Sequence, residues 1–357
     1  MSEKIQIIEK ENNDLKEKLN KEIKEKEEIK SKIKIIEIKS QKMEEELKSI
    51  FEIIKNNKND IKNDSKNLNI IKENINQQAI YSNRMKEDYK RYYEIVEKIG
   101  RGTFGTVYKV KDKVTKEFRA LKIIDLPEFD EDEKELNIKN LMNSIKIMEL
   151  CSNKTINSIK YYEYFLNENE FAIIIELCDD NLLKLIKRRR IGFNDIEIKQ
   201  IMTQLNNAFQ ILKENNIIHR DIKLENILIK YEDYERKDFI VKLTDYDFSR
   251  HLLSNSICGT YPGTPLTMAP EVLEGEKYDN KCDLWSIGII IYQLYFKEVP
   301  YNGNTEVALL NKIKNFKQTC LRNTNNSKLN DLIRRLLIDN PKERITWEEY
   351  FNHSFFN

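Results

Sequence analysis

Neither glycine nor proline occurs in the first 99 residues of this 357-residue chain; all nine glycines and all six prolines come later. Tight turns draw heavily on both residue types. Their absence over so long a stretch excludes an ordinary loop-containing domain there and divides the chain into residues 1–92 and 93–357. Cysteine is sparse as well. Cys151, Cys178, Cys258, Cys282 and Cys320 form no C-x-x-C pair, and an odd number of scattered thiols argues for the reducing cytoplasm rather than a disulfide framework. The opening "MSEKIQIIEK" has no apolar core of signal length, so no leader is expected. The longest strongly apolar stretch, "SIGIIIYQLYF", has 11 residues, short of the roughly 20 that a membrane span needs. An excess of positive charge is also missing. Residues 1–92 carry 22 Lys and Arg against 19 Asp and Glu, and the remainder 39 against 41. Net charges of +3 and −2 give neither part the electrostatic footprint of a nucleic-acid or membrane binder.

What the first part does have is a seam. With position a at Ile5 and one register throughout, the a and d sites run from Ile5 and Ile8 to Ile71 and Ile75, and 15 of these 21 sites are apolar. A spacing of 3.5 residues held that long calls for a partner helix, because one helix cannot bury the seam alone. A coiled coil through residues 1–92, made with a second copy or another helix, is therefore expected. Polar residues at Lys26, Asn57 and Asp64, and the high content of Ile, Lys, Asn and Glu, leave a single charged spacer helix as the alternative.

The first glycines arrive in "EKIGRGTFGTVYKV", where Gly100, Gly102 and Gly105 are spaced G-x-G-x-x-G. That spacing also occurs where a strand runs into a helix in dinucleotide-binding folds. Here "TVYKVKDKVTKEFRALKII" alternates as strand, turn and strand. A glycine turn between two strands lets backbone N–H groups lie over phosphates, and Lys122 in "ALKII" falls on the next strand. Further on, "IIHRDIKLENILI" supplies His219, Arg220, Asp221, Lys223 and Asn226, and "LTDYDFSRHL" supplies Asp245.

With "APE" at 269–271, "DLWSIG" at 283–288 and the late "PKERITWEEYFNHSFF", this ordered set resembles the eukaryotic-type protein kinases from about Tyr93 to Phe356. The resemblance implies an α+β, two-lobed kinase-like fold, a small β-rich lobe followed by a large helical one, preceded here by the long helix. It implies ATP and Mg²⁺ as cofactors and a protein serine or threonine hydroxyl as acceptor. Asp221, Lys223 and Lys122 are the implied catalytic residues. Asp221 takes the hydroxyl proton, Lys223 steadies the transferring group and Lys122 holds the α- and β-phosphates. Asn226 and Asp245 are the implied metal ligands. The nucleotide would lie among Gly100, Gly102, Gly105, Val107, Ala120 and Lys122 above and Leu228 below, its base against the backbone of Glu176 and Cys178 after the gatekeeper Ile175. The same resemblance pairs Glu271 with Arg344, sets Asp283 to hold the catalytic loop and puts Thr264 beside Asp221 and Lys223. Arg220 is implied to meet a phosphate on the segment carrying Ser254, Ser256 and Thr260.

Two positions depart from the family pattern. The glutamate that partners the strand lysine aligns with Ser144 in "NLMNSIKIMELC", and Glu149, five residues on, lies about 140° round a helix. Asp247 stands where the family has a glycine, beside the metal aspartate. The residues that would touch phosphate, metal and proton are nevertheless all present. The reading is a serine/threonine kinase, slow or atypically regulated; the alternative is a pseudokinase scaffold that binds nucleotide or partners without turnover.

Overall fold

The computed structural model describes residues 88–102, 105–126, 131–167, 169–232, 235, 238–246, 250–251, 265–315 and 320–357. The heptad segment, Asp247, Thr264, Ser254, Ser256 and Thr260 lie outside these residues. A five-stranded antiparallel sheet comes first, built from β1 (Tyr93–Gly102), β2 (Gly105–Asp112), β3 (Phe118–Asp125), β4 (Tyr161–Leu166) and β5 (Glu170–Ile175) in the order β1-β2-β3-β5-β4. Between β3 and β4 runs a 24-residue helix, α1 (Glu131–Lys154).

Period-two alternation explains how this sheet divides its side chains. Leu121, Ile123, Ala172 and Ile174 pack with Tyr89, Tyr93 and Phe165 in a small core on one face. Ala120, Ile124, Ile173 and Ile175 point the other way and join the main core, with residues of α1 and the helical lobe. Tyr89, just ahead of β1, is buried in that small core.

After β5 the chain crosses through Glu176–Asp179 into the second lobe. A short strand β6 (Asp180–Asn181) leads to helices α2 (Leu182–Arg188) and α3 (Asp195–Glu214). The start of α3 is fixed by a capping box, in which the Asn194 side chain accepts from Glu197 N (2.9 Å) and Glu197 Oε2 accepts from Asn194 N (2.8 Å). Strand β7 (Ile217–Ile218) precedes the loop that holds Asp221; β8 (Ile227–Tyr231) and β9 (Phe239–Leu243) form a hairpin beside β6, and β10 (Arg250–His251) pairs with β7.

Helices α4 (Pro270–Leu273), α5 (Lys281–Phe296), α6 (Glu306–Asn315), α7 (Ser327–Leu336) and α8 (Trp347–Phe351) complete the lobe. Of these, α5 is apolar nearly all round and lies in the core, as a helix without a polar face must. Gly288 allows α7 to approach it: a β-carbon there would stand 2.8 Å from side-chain atoms of both Leu336 and Leu337. Among the described residues no helix is long and apolar enough to cross a membrane.

Candidate active site

Ladder register gathers the upper wall. Val107 of β2 stands opposite Lys122 of β3, Ala120 of β3 opposite Ile175 of β5, and Lys122 opposite Ile173. Directly opposed residues of an antiparallel pair share a face, so Val107, Ala120, Lys122 and Ile175 project to one side of the sheet. Leu228, on β8 of the other lobe, is half-buried and packs against the same core as Val107.

The three glycines of the β1–β2 hairpin differ in what they are for. At Gly105 a β-carbon would run into the Ile123 carbonyl at 2.0 Å, so the fold itself excludes a side chain. Gly100 has nothing within 4 Å, and Gly102 meets only the Gly105 carbonyl at 3.8 Å. Neither adopts a positive φ. Packing and backbone conformation therefore do not require glycine at 100 and 102; the bare backbone leaves room over the hairpin for another molecule.

At the crossing between lobes, the Glu176 amide donates to the Lys160 carbonyl (2.8 Å) and the Asp179 amide to the Ile229 carbonyl (2.9 Å). Among the described residues the Glu176 carbonyl and the Cys178 amide take part in no such loop hydrogen bond, an acceptor and a donor two residues apart. Burial pushes the Cys178 thiol up to about 12, so it is a neutral wall rather than a nucleophile. Sequence reasoning missed Lys242. Its buried ammonium pairs with Glu176 Oε2 at 3.0 Å and donates to the Ile156 carbonyl at 2.6 Å, tying this crossing to β9. The signal was there: a lysine inside the otherwise apolar strand "FIVKL".

The second lobe presents a charged cluster on two backbone turns. Arg220 and Asp245 both sit in the left-handed region, at φ 68° and 70°, a conformation costly for residues other than glycine. Buried Asp283 holds the first turn: its two carboxylate oxygens accept from His219 N (2.8 Å) and Arg220 N (2.9 Å). Burial raises the Asp283 carboxyl above its ordinary range, opposed by His219 and these two amide donors. Burial likewise holds the His219 imidazole below its usual value. Arg220 Nη1 donates to the Tyr278 hydroxyl at 3.1 Å.

Among the described residues, the Asp221 carboxylate is held through one oxygen. Its Oδ2 accepts from Lys223 Nζ (2.8 Å) and from Asn226 Nδ2 (2.8 Å), and Asn226 Nδ2 also donates to the Asp221 carbonyl (2.9 Å). Asp221 Oδ1 carries no hydrogen bond among the described residues. Two oxygen acceptors on one amide nitrogen fix the flip of Asn226. Its Oδ1 is thereby left as the free end, the atom type a hard cation takes. Across the cleft, Lys122 Nζ lies 2.7 Å from Asp245 Oδ1, an ion pair that joins the two lobes.

The structure thus brings together Asp221, Lys223 and Asn226 in one hydrogen-bonded group, and Lys122 and Asp245 in another. Ser144 is buried on α1 and back-bonds to the Asn140 carbonyl (3.1 Å), while Glu135 and Glu149 of the same helix are exposed. Lys122 makes an ion pair with Asp245. Glu271 and Arg344 form a buried two-pronged bridge at 2.7 and 2.9 Å. A groove of about 1140 Å³ on the helical lobe, walled by α2, α3 and the β8–β9 hairpin, shares no lining residue with the site.

Residues 93–356 match the protein kinase domain model. The chain belongs to the protein kinase family. Among curated kinases it is 32% identical over 270 residues to serine/threonine-protein kinase ATG1b of Arabidopsis thaliana, covering 74% of this chain and 36% of that one. Calcium-dependent protein kinase 5 of Plasmodium berghei is 34% identical over 309 residues, covering 81% of this chain and 52% of that one. Serine/threonine-protein kinase atg1 of Dictyostelium discoideum is 32% identical over 268 residues, with 74% and 39% covered. The chain therefore spans between about a third and a half of the length of these kinases. In the kinase domain a sheet lobe faces a helical lobe, as the family fold requires.

Proposed function

We propose that this chain is an ATP- and Mg²⁺-dependent protein serine/threonine kinase. The observation that carries the reading is the state of Asp221: one carboxylate oxygen is paired with Lys223 and accepts from Asn226, and the other carries no hydrogen bond among the described residues. An oxygen so placed can accept the proton of an incoming hydroxyl, while Lys223 stays beside it to meet the developing charge of the phosphoryl group. Kinship with serine/threonine kinases supports the hydroxyl class.

Charge balance supports the nucleotide. The Lys122–Asp245 pair holds one cation and one anion face to face, and a phosphate–metal complex can enter between them, its phosphate taking the ammonium and its cation the carboxylate. Asn226 Oδ1 and Asp245 would hold Mg²⁺, which when bound neutralises the phosphate oxygens. Mg²⁺ is commonly held by one or two protein groups together with substrate phosphates, which fits a pair of side-chain ligands. Gly100 and Gly102 leave the space above the phosphates clear, and Val107, Ala120 and Leu228 line the base. The four described cysteines are free thiols, in keeping with the cytoplasm as the proposed compartment. The heptad segment is proposed to join this chain to a second copy or another helix.

Phosphate transfer from γ-labelled ATP to a serine/threonine peptide tests the reading. Asp221→Asn is expected to lower kcat by about 100-fold or more; equal rates for the two proteins would overturn it. One observation favours the second reading, a pseudokinase scaffold: Ser144, at the position that the resemblance gives to the helix glutamate, is a buried neutral hydroxyl that donates to the Asn140 carbonyl. A nucleotide-dependent rise in melting temperature with no transfer by the wild-type protein would establish that reading instead.

A further inference from the structure

Tyr246, the residue after Asp245, is wholly buried, and its ring lies 5.1 Å from that of His219. An aromatic ring suffices to fill such a place. A phenol hydroxyl there must be desolvated, which is unfavourable unless it finds a partner. Its oxygen partner is Ser158, 1% exposed, whose hydroxyl shares a 2.7 Å hydrogen bond with it, and the Cys151 thiol is a second, weaker partner. Ser158 stands on a segment stitched to β9: Ile159 N donates to the Leu243 carbonyl (2.9 Å), Leu243 N to the Asn157 carbonyl (2.8 Å), and the Asn157 side chain to the Val241 carbonyl (3.0 Å). Asp245 itself adopts the strained left-handed backbone, so its direction depends on what holds its neighbours. Adjacent α-carbons are about 3.8 Å apart, and a ring that leaves its pocket carries the carboxylate with it.

We propose that Ser158 is a positioning residue that latches the Tyr246 hydroxyl and thereby keeps Asp245 turned toward Lys122. The inference deepens the kinase reading and rests on it for its effect on turnover. Its structural half can be read without activity, through Cys151. That thiol is wholly buried beside the Tyr246 phenol, and burial pushes it up to about 11, so it is doubly protected while the ring stays in place. Departure of the ring uncovers it.

The test uses the full chain as wild type, Ser158→Ala, Ser158→Thr, Tyr246→Phe and the Ser158→Ala/Tyr246→Phe double variant. N-ethylmaleimide labelling of Cys151 is followed by peptide-resolved mass spectrometry, and kcat is measured at saturating ATP. Removing Ser158 leaves the phenol only the weakly bonding thiol of Cys151, whereas removing both hydroxyls leaves an apolar contact. Ser158→Ala is expected to speed Cys151 labelling and lower kcat, each by about 5- to 50-fold. The double variant and Ser158→Thr should return both to within about threefold of wild type. Unchanged labelling in Ser158→Ala, or a double variant no better than Ser158→Ala, overturns the latch. Should Ser158→Ala fail to fold alone, the same change in the Tyr246→Phe background decides: a folded double variant supports the latch, an unfolded one refutes it. If wild type transfers no phosphate, the kinase reading falls while the labelling series still judges the latch.

Discussion

Arg344 shows what a single buried charge demands. Its guanidinium meets both oxygens of Glu271 and also donates to the carbonyls of Lys281, Ile338 and Asp339, so the site it occupies is satisfied on every side. Replacing Glu271 by Ala leaves that cation in the core with only neutral partners. Loss of about 3–5 kcal/mol is expected, measured as a lower denaturant midpoint. The hairpin glycines offer a sharper contrast. Gly105→Ala forces a β-carbon against the Ile123 carbonyl and should lower the melting temperature, while Gly102→Ala has room and should not. If phosphates lie over the hairpin, Gly102→Ala should instead raise KM for ATP about 10-fold or more, one lost charge-assisted contact being worth about 1.5–3 kcal/mol. Calorimetry and steady-state kinetics on the two variants separate the roles.

Helices and strands carry the next set of consequences. Because Gly288 is the point where α5 touches α7, Gly288→Ala overpacks a close contact against Leu336 and Leu337. It should cost about 1–3 kcal/mol by chemical denaturation. Asn194→Ala removes half of the capping box of α3 and should cost about 1 kcal/mol by the same measurement. Much of this level was legible in the residues. The alternation of "TVYKVKDKVTKEFRALKII" placed β2 and β3, and the motif order placed Lys122, Asp221 and Asn226 on their elements. What could not be read was pairing across distance. Ser158 and Tyr246 are 88 residues apart, Lys122 and Asp245 are 123 apart, and no local pattern marks either pair. Lys242 carried a local signal, a charge inside an apolar strand, but its partner Glu176 lies outside that strand and could not be read from it. Ser144, which aligns with the family's helix glutamate, is buried on α1.

Acidity should act on the domain as a unit through His219. Its imidazole is held below the ordinary value by burial, so near neutrality it is uncharged in both folded and unfolded chains. As pH falls through about 6.5, the unfolded chain takes up a proton that the folded one refuses, and stability drops. Asp283, raised by burial, works in the opposite sense, because the folded state binds its proton first. The melting temperature of wild type is therefore expected to decline between pH 7 and 5.5, with a shallower decline in His219→Gln. The backbone seam between residues 157–159 and β9 has a mechanical corollary. It fastens the β4 edge of the sheet lobe to the helical lobe, and β1 is the opposite edge. Any opening of the cleft has to swing about that fastened side like a door about its pin. The glycine hairpin, farthest from the pin, then sweeps the widest arc, while Asp245, only two residues beyond Leu243, scarcely moves.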